Sequence, residues 1–289
     1  MLSPNLRVGE NEREDFEASH LLTSKSQGPM RMSKILFDRT DSRAILTLNR
    51  PEKLNALTSD MKADLVRLLA KLHGDEQLRV IIVTGSGDKA FCAGTDIAEL
   101  SELADQQGRD VSESGQKVSR EFENFPVPVI AAVNGLAAGG GFEILLGCHL
   151  RIASTAATFS LPETWLGLMP AYGATQRLVR EIGLGHAVEW MLTRRTISAE
   201  EALDFGLLNR IVPPGRVLEE ALSLAHEIEQ LSPLSIRACL KAVTEGIELP
   251  LEEGLALETE LFASLFSTED AREGTRAFLE KRKPVFKGK

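Results

Sequence analysis

The chain has 289 residues, of which 43% are hydrophobic and 26% charged, a composition typical of globular proteins. This length allows one large domain or two small ones, with a sizeable core. The 33 Lys and Arg against 42 Asp and Glu give a net charge of -9. Such an acidic balance argues against general nucleic-acid binding, because phosphate contacts need basic residues in excess.

The cysteines, histidines and apolar runs exclude further classes. Cys92, Cys148 and Cys239 form no CxxC pair, and the five histidines form no HExxH motif, so we expect no metal site. Scattered cysteines favour a reducing compartment, and we predict a cytoplasmic location. The longest apolar runs are too short to span a bilayer, so we expect no membrane partner.

Residues 1–32 differ from the rest of the sequence. They are polar, carry both charge signs and lack periodicity, which is typical of a flexible N-terminal extension. Acidic residues are too frequent for a mitochondrial transit peptide, and no apolar stretch suits a signal peptide. We expect removal of this extension to leave activity unchanged.

Hydrophobic periodicity and turn residues predict the elements of residues 33–197. In chain order they are a β-hairpin of Ile35–Phe37 and Ala44–Leu48, an amphipathic helix Ser59–His73, a buried strand Val80–Thr84, a turn-rich loop at 85–94, a polar segment 101–120 that is mobile or helical, a buried strand Val127–Val133, a glycine-rich helix, and short strands near Leu150–Ala153 and Thr158–Ser160. Strands that alternate with helices favour an α/β core with parallel strands.

From Ser198 to the end of the chain the pattern is mostly helical, and we treat residues 198–289 as a helical C-terminal region. Five helices are predicted there, in the stretch SAEEALDFG and at residues 216–230, 235–244, 251–266 and 267–282. Two phosphate-binding motifs are absent from the sequence. The stretch GSGDKA lacks the third glycine of GxGxxG, and no GxxxxGK[ST] occurs, so neither a dinucleotide site nor a P-loop is supported.

Three consecutive glycines, Gly139–Gly141, open the apolar helix that follows the strand PVIAAV. Glycine lets another group approach the backbone closely, and the N–H groups at a helix start are unpaired and partly positive. A second loop, Phe91–Thr95, also follows a buried strand and offers a second N–H. Two converging donors would stabilise an oxyanion. The alternative is that the glycines only allow tight packing of helix on strand.

Two glutamates are candidate acid–base groups. Glu143 lies among large apolar residues, so it is expected to be partly buried, and a pair of buried carboxylates titrates apart. The alternative for Glu143 is a favourable interaction with the helix dipole. The alternative for Glu163 is a capping box in Ser160–Glu163, with Glu163 at the third helical position.

Several stretches that occur in order resemble the crotonase superfamily, also called enoyl-CoA hydratase/isomerase. They are LNAL (54–57), AFCAGTDI (90–97), PVIAAVNGLAAGGGFE (128–143), FSLPETWLGLMP (159–170) and GATQRL (173–178). The resemblance extends from about Ser33 to the C-terminus. It implies an α/β fold that is a spiral of repeated ββα units with a helical C-terminal trimerisation region. It also implies a homotrimer or a hexamer made of two trimers.

The resemblance implies an acyl-CoA substrate, with no cofactor because coenzyme A is part of the substrate. The oxyanion hole would consist of the backbone N–H groups of Thr95 and Gly140. The hydratases of the family use two glutamates, which match Glu143 and Glu163. Retention of both implies hydration of a 2-enoyl-CoA, in which Glu143 activates water and Glu163 delivers a proton to Cα.

The resemblance also implies a set of residues that contact the substrate. They are Lys53, Leu54, Ala56, Ala93, Gly94, Asp96, Ile97, Gly139, Tyr172 and Lys281, with Lys283 a second candidate in the tail. The lysines would contact CoA phosphates, those of the tail in a neighbouring subunit. The alternative for each lysine is a solvated surface charge.

The sequence departs from the family pattern at two places. Cys148-His149 stands where Cys-Asp is common, and Ala171-Tyr172 precede the stretch GATQRL where glycines are common. Tyr172 would narrow the acyl pocket or place a hydroxyl near the substrate; its alternative is ordinary packing. Other reactions stay open on this scaffold: isomerisation of an enoyl-CoA, or dehydration of a hydroxyacyl-CoA such as carnitinyl-CoA. A non-catalytic member that binds acyl-CoA or RNA is disfavoured by the two glutamates and the acidic charge.

Overall fold

A six-stranded sheet and a four-stranded sheet form the frame of the fold in the computed structural model, which describes residues 34–40 and 42–289. The strands are β1 (Ile35–Arg39), β2 (Arg43–Leu48), β3 (Val80–Gly85), β4 (Ala90–Cys92), β5 (Val129–Val133), β6 (Leu136–Ala138), β7 (Leu150–Ser154), β8 (Thr158–Ser160), β9 (Ile197–Ser198) and β10 (Arg210–Val212). The helices are α1 (Ser59–Leu72), α2 (Ile97–Ser101), α3 (Gly108–Glu123), α4 (Gly140–Leu145), α5 (Ala174–Ile182), α6 (Leu184–Thr193), α7 (Ala199–Asp204), α8 (Val217–Glu229), α9 (Pro233–Gly246), α10 (Leu251–Leu265) and α11 (Glu269–Leu279).

The larger sheet has the strand order β1-β2-β3-β5-β7-β10. The predicted hairpin of β1 and β2 is confirmed, and its register places Ile35 opposite Leu48. All further pairs in this sheet are parallel. Since β3 and β5 are buried on both faces, their sequences are continuous apolar runs rather than alternating ones.

The smaller sheet has the order β4-β6-β8-β9 and carries the loops of interest. Strands β4, β6 and β8 are parallel to one another. The carboxyl ends of parallel strands lie at one edge of a sheet. The loop after β4, the start of α4 after β6, and the segment after β8 therefore meet at that edge, and these are the three segments that hold Thr95, Gly140 and Glu163.

Two apolar clusters stabilise the larger sheet, one on each face. The main cluster includes α1, α3 and α4 and contains the large buried side chains Trp190, Phe91, Phe122, Phe142 and Phe159. The smaller one packs Val217, Ala221 and Ala225 of α8 against the other face of the sheet. Helix α8 is amphipathic with small buried residues, which lets it lie close to the strands.

Three parts of the observed fold differ from the sequence prediction. The capping box at Ser160–Glu163 is wrong: Ser160 pairs in β8 with Ala138, and Glu163 begins a 3-10 helix, Glu163–Leu166, that has no side-chain cap. Strand pairing has taken Ser160 away from a capping position. The turn-rich loop at 85–94 contains β4, and the segment expected to be helical contains β10, which extends the larger sheet. Each of these strands has three residues, too few to show an alternating pattern.

The other predicted helices are present, and the ambiguous segment 101–120 contains most of α3. Within residues 34–40 and 42–289, no helix is long and apolar enough to cross a membrane. In the same part of the chain, no three His, Cys, Asp or Glu side chains gather in a way that could hold a metal ion. The predicted extension 1–32 lies outside the described residues. The division of the remaining chain at 197/198 stays a prediction.

Candidate active site

A cavity of about 550 Å³ opens at the carboxyl edge of the smaller sheet. The structure brings together around it most of the residues that the sequence singled out: Ala93, Gly94, Thr95, Ile97, Gly139, Gly140, Glu143, Glu163 and Tyr172. Its remaining walls are largely apolar and come from α2, α3 and the segment that follows Glu163. An enclosed site with a few convergent polar groups is the usual form of a small-molecule site.

The glycines of the two loops allow close approach at this edge. Gly94 has φ +100° and Gly139 φ +48°, conformations that favour glycine. A Cβ on Gly94 would lie 3.0 Å from the Ala138 carbonyl oxygen and 3.3 Å from the Gly140 nitrogen. A Cβ on Gly141 would overlap the Cys92 carbonyl. Gly141 therefore allows the tight packing of α4 on β4, whereas Gly94 and Gly139 shape the cavity; the binding of an oxyanion there stays a prediction.

Thr95 and Gly140 line the cavity, and each has a backbone N–H for which no acceptor is found among the described residues. Gly140 is the first residue of α4, where an N–H has no intrahelical acceptor. In the bridge between Leu57 and Thr95, the hydrogen bonds involve the Gly94 carbonyl and the Asp96 N–H and leave the Thr95 N–H unused. Among the described residues, neither N–H donates a hydrogen bond in a loop or turn.

Glu143 is buried on α4, with 2% of its surface exposed, and its carboxylate is fixed by backbone donors. Oε1 accepts hydrogen bonds from the N–H groups of Tyr172 (2.8 Å) and Ala174 (2.9 Å), and Oε2 accepts one from Ala171 (3.3 Å). Burial raises the pKa of Glu143, and these donors oppose the rise because they favour the charged form.

Glu163 faces the same cavity with far fewer partners. Its Oε2 is buried and has no hydrogen-bond partner among the described residues. Its Oε1 would lie 2.8 Å from a Cβ placed on Gly139, so the glycine makes room for the carboxylate. Burial, and then the negative charge of Glu143, raise the pKa of Glu163 to about 7. An unpartnered buried polar atom with a raised pKa makes Glu163 a candidate functional group.

Tyr172 is almost fully buried beside the two loops, and its hydroxyl is 2.7 Å from Thr95 Oγ1. Lys62 Nζ donates a hydrogen bond of 3.1 Å to the same hydroxyl. Lys62 was not identified from the sequence. It is a lysine beside the predicted apolar stripe of α1, yet only 2% of its surface is exposed. The only signal in the sequence was the position of Lys62 beside Met61, at the edge of that stripe.

Asn55 was a second missed residue, and it anchors the stretch LNAL. It is fully buried with φ +58°, and its side chain donates to the carbonyls of Ser86 and Ala90 and accepts the Arg50 N–H. The Ala93 N–H also donates to the Leu54 carbonyl. These contacts place residues 54–57 beside the loop that carries Thr95, as the sequence suggested for a shared binding surface.

Six predicted contact residues, among them the tail candidate Lys283, do not line the cavity. Lys53, Leu54 and Ala56 lie on the neighbouring segment, with Lys53 exposed, and Lys281 is exposed just after α11. Asp96 caps α2 through hydrogen bonds from Ala98 and Glu99 and pairs with Arg50 at 2.8 Å, which lowers its pKa. Their contacts with a substrate stay predictions.

His149 explains one departure from the family pattern. Its Nδ1 accepts the Val129 N–H at 3.0 Å, so the proton is on Nε2, which donates to the Glu123 carbonyl at 3.1 Å. Burial lowers the pKa of His149 and favours this neutral form. The imidazole joins the end of α3 to the start of β5, a structural role away from the cavity.

Comparison with known proteins places the chain in a family. The sequence profile of the family described as Enoyl-CoA hydratase/isomerase matches residues 38–289, and the chain belongs to this family. Short-chain-enoyl-CoA hydratase of Clostridium acetobutylicum is 39% identical over 254 residues, which cover 88% of this chain and 97% of that protein. Crotonyl-CoA hydratase of Syntrophomonas wolfei is 39% identical over 257 residues, covering 89% and 99% respectively.

Solved structures agree with these relatives. A crystal structure of enoyl-CoA hydratase from Bacillus anthracis matches with a TM-score of 0.86 at 38% identity, covering 89% of this chain and 100% of that chain. The predicted family, the crotonase fold and the enzyme class, a hydro-lyase of the enoyl-CoA hydratase type, are confirmed by these likenesses.

Proposed function

We propose that the chain hydrates a 2-enoyl-CoA thioester, with Glu143 and Glu163 as the acid–base pair and the N–H groups of Thr95 and Gly140 as the oxyanion hole. The observation that carries the proposal is the asymmetry of the two carboxylates that share one cavity. Glu143 accepts backbone hydrogen bonds, whereas Glu163 has an unpartnered buried oxygen and a pKa raised to about 7.

The asymmetry supports an assignment of roles. Backbone donors favour the charged form of Glu143, and the raised pKa of Glu163 favours the proton on that residue. The oxygen of water attacks Cβ while Glu143 takes a proton from that water, and Glu163 gives its proton to Cα. Charge that develops on the thioester oxygen is stabilised by the two N–H donors. The family resemblance implies syn addition, which requires both carboxylates to act on the same face of the double bond.

The coenzyme A moiety is proposed to lie along residues 53–56 outside the cavity and along the Ala93–Ile97 loop at its wall. The hydrogen bonds between these segments support a continuous surface that leads to the Thr95 N–H. Exposed Lys53 is suited to a phosphate, and Lys281 to a phosphate in its own or a neighbouring subunit. No cofactor is required for this reaction, since the protons come from the carboxylates and water.

A trimer, alone or paired into a hexamer, is the proposed assembly. Its support is a set of large apolar side chains exposed on α9, α10, α11 or directly after them: Val243, Ile247, Leu251, Phe262, Phe266, Phe278 and Leu279. Large exposed apolar patches mark interaction sites. Sedimentation equilibrium should give three or six copies, and a monomer at micromolar concentration would contradict the proposal.

The test is hydration of crotonyl-CoA, measured as loss of the conjugated thioester absorbance. We expect turnover by the wild type and a loss of kcat of at least about 10²-fold in both Glu143→Gln and Glu163→Gln, the range for removal of a general acid or base. The matched control is Glu76→Gln, because Glu76 is exposed and does not line the cavity. A folded variant that keeps wild-type turnover would refute the assigned role of that glutamate.

Isomerisation is the competing reaction on this scaffold. Isomerisation moves a proton from one carbon to another, which one acid–base group can do without activating water. The second carboxylate, Glu143, which backbone hydrogen bonds fix in the cavity, therefore favours hydration. The product decides between them: a hydroxyl on Cβ identifies hydration, and a shifted double bond identifies isomerisation.

A further inference from the structure

Lys62, Tyr172 and Thr95 form a polar chain beside the cavity that the proposed reaction does not use. Lys62 Nζ is 3.1 Å from the Tyr172 hydroxyl, which is 2.7 Å from Thr95 Oγ1. The three residues come from α1, from the segment before α5 and from the loop after β4. Lys62 and Tyr172 are each 2% exposed, so the chain of hydrogen bonds is almost entirely buried.

The Tyr172 ring is wedged between two glycines. A Cβ on Gly140 would lie 2.7 Å from Tyr172 Cε2, and a Cβ on Gly115 would overlap the other edge of the ring. Gly115 lies inside α3, where glycine costs roughly 1 kcal/mol against alanine. The ring explains why residue 115 is a glycine, since any larger side chain at that position would overlap the ring. The ring therefore occupies the gap between α3 and the start of α4.

The Tyr172 ring borders both this gap and the cavity. Thr95, Gly140 and Tyr172 line the cavity together, while Val111 and Leu168 belong to its apolar walls. An acyl chain that extends from a thioester held at Thr95 and Gly140 would enter the gap if the ring were absent. With the ring present, the backbone of α3 at Gly115 is sealed from the cavity.

Lys62 holds the ring in this position. Burial of its amine lowers its pKa, and Glu99 opposes the effect. Among the described residues, Nζ makes a side-chain hydrogen bond only to the Tyr172 hydroxyl, and it lies 5.0 Å from the ring centroid. A buried lysine is costly unless it is partnered, so its one partner, the tyrosine, indicates its role as a positioning residue.

We propose that Tyr172 sets the depth of the acyl pocket and restricts the enzyme to short acyl groups, with Lys62 and Thr95 fixing the ring and Gly115 providing its space. The inference rests on the proposed function and names the substrate class of the same site. It does not depend on which glutamate is the acid, because it concerns only the space available to the acyl chain.

The test compares acyl chain lengths in two independent readouts. One is kcat/KM for crotonyl-, hexenoyl-, octenoyl- and decenoyl-CoA. The other is the Kd of butyryl-CoA and decanoyl-CoA, which bind without turnover. We expect the wild type to prefer the short chain, and Tyr172→Ala to raise the long-to-short ratio by about tenfold or more in both readouts, since each methylene in a pocket contributes about tenfold or more.

Tyr172→Phe and Tyr172→Leu separate the effect of the ring on the ratio from the effect of the hydroxyl and from a loss of folding. Tyr172→Phe keeps the ring but loses the hydroxyl that anchors it, so its ratio should move towards long chains by no more than about threefold, and Tyr172→Leu should lie between Tyr172→Phe and Tyr172→Ala. An unchanged ratio in folded Tyr172→Ala or Tyr172→Leu would overturn the proposal. If the wild type binds acyl-CoA with the expected ratio but hydrates no enoyl-CoA, the proposed reaction fails and the pocket assignment stands.

Two further variants test the supporting residues. Lys62→Met keeps the volume and removes the amine; it should shift the ratio in the same direction as Tyr172→Ala, by less, because the ring loses its anchor. A loss of stability with no change in ratio would show that Lys62 is only structural.

Gly115→Ala should restore the ratio towards wild type when combined with Tyr172→Ala, because the added Cβ then fills part of the space that the ring has vacated. No restoration would contradict the assigned gap.

Discussion

The backbone N–H of Tyr172 donates a 2.8 Å hydrogen bond to Glu143 Oε1, so one residue holds the buried carboxylate with its backbone and closes the cavity with its ring. Replacement of the side chain leaves the backbone donor in place. Effects of Tyr172 variants on chain-length preference can therefore be measured against a carboxylate that keeps its partners.

The pH dependence of turnover should report the proton on Glu163. Its raised pKa of about 7 makes it the acid of the pair, and hydration needs that acid protonated. We expect kcat/KM for crotonyl-CoA to fall on the alkaline side with an apparent pKa near 7. A profile that stays flat from pH 6 to pH 9, with chemistry shown to be rate-limiting, would contradict the role of Glu163 as proton donor.

Stability should change with pH in the opposite sense to that of a salt-bridged carboxylate. The folded-state pKa of Glu163 is raised from 4.5 to about 7. Its contribution to the free energy of unfolding is therefore fully present below about pH 4.5 and is lost as the pH rises through 7. Glu163→Gln stays neutral and should gain roughly 1–3 kcal/mol over wild type between pH 4 and pH 8. Urea denaturation at both pH values measures the difference, with Glu76→Gln as the control.

Gly94→Ala should damage the proposed oxyanion hole. The residue has φ +100°, and its Cβ would lie 3.3 Å from the Gly140 nitrogen. The loop must shift, and the Thr95 N–H moves with it, so we expect kcat to fall by about 10-fold to 10³-fold, up to the effect of losing one oxyanion donor. Gly206→Ala is the matched control, because it has φ +77° and open space around its Cβ. Equal losses of activity in the two variants would argue against the hole.

The sequence predicted the parts of the fold whose signal is local. Strand β3 and helix α1 are specified by a continuous apolar run and by a 3.6-residue repeat, and both were found close to their predicted bounds. Glu143 and Glu163 were found because each lies next to a recognisable turn or glycine motif. Their different partners could not be predicted, since the donors to Glu143 come from residues 171–174, beyond the intervening strands β7 and β8.

Lys62 shows why the remainder was missed. A lysine beside an apolar stripe normally extends its charged end into solvent. Here it is buried because Tyr172, 110 residues further along the chain, offers a hydroxyl above it. Asn55 is similar: its partners Ser86 and Ala90 are brought to it by the packing of β3 and β4. Such contacts follow from tertiary structure and leave no periodic signal.

Arg151 should stabilise the helix that carries Glu143. It is 8% exposed, donates to the carbonyls of Leu145 and Leu146 at the end of α4, and pairs with Glu181 at 2.6 Å. Arg151→Met would leave these buried carbonyls without their donors, and an unsatisfied buried polar group costs about 1–3 kcal/mol, so we expect the variant to lose stability on that scale in urea denaturation. Arg109→Met, which breaks an exposed pair with Glu113, should be close to wild type. Similar midpoints for the two variants would contradict this prediction.

The order of strands in the larger sheet, β1-β2-β3-β5-β7-β10, is also their order along the chain. Each strand therefore finds its neighbour already synthesised, and the sheet can grow at one edge while the polypeptide is still emerging from the ribosome. Parallel pairing is slow when distant segments must meet, and this arrangement shortens the search at every step. Strand β10 is the last to pair, and it pairs with β7. The open side of β7 therefore stays available for mispairing until β10 has been synthesised.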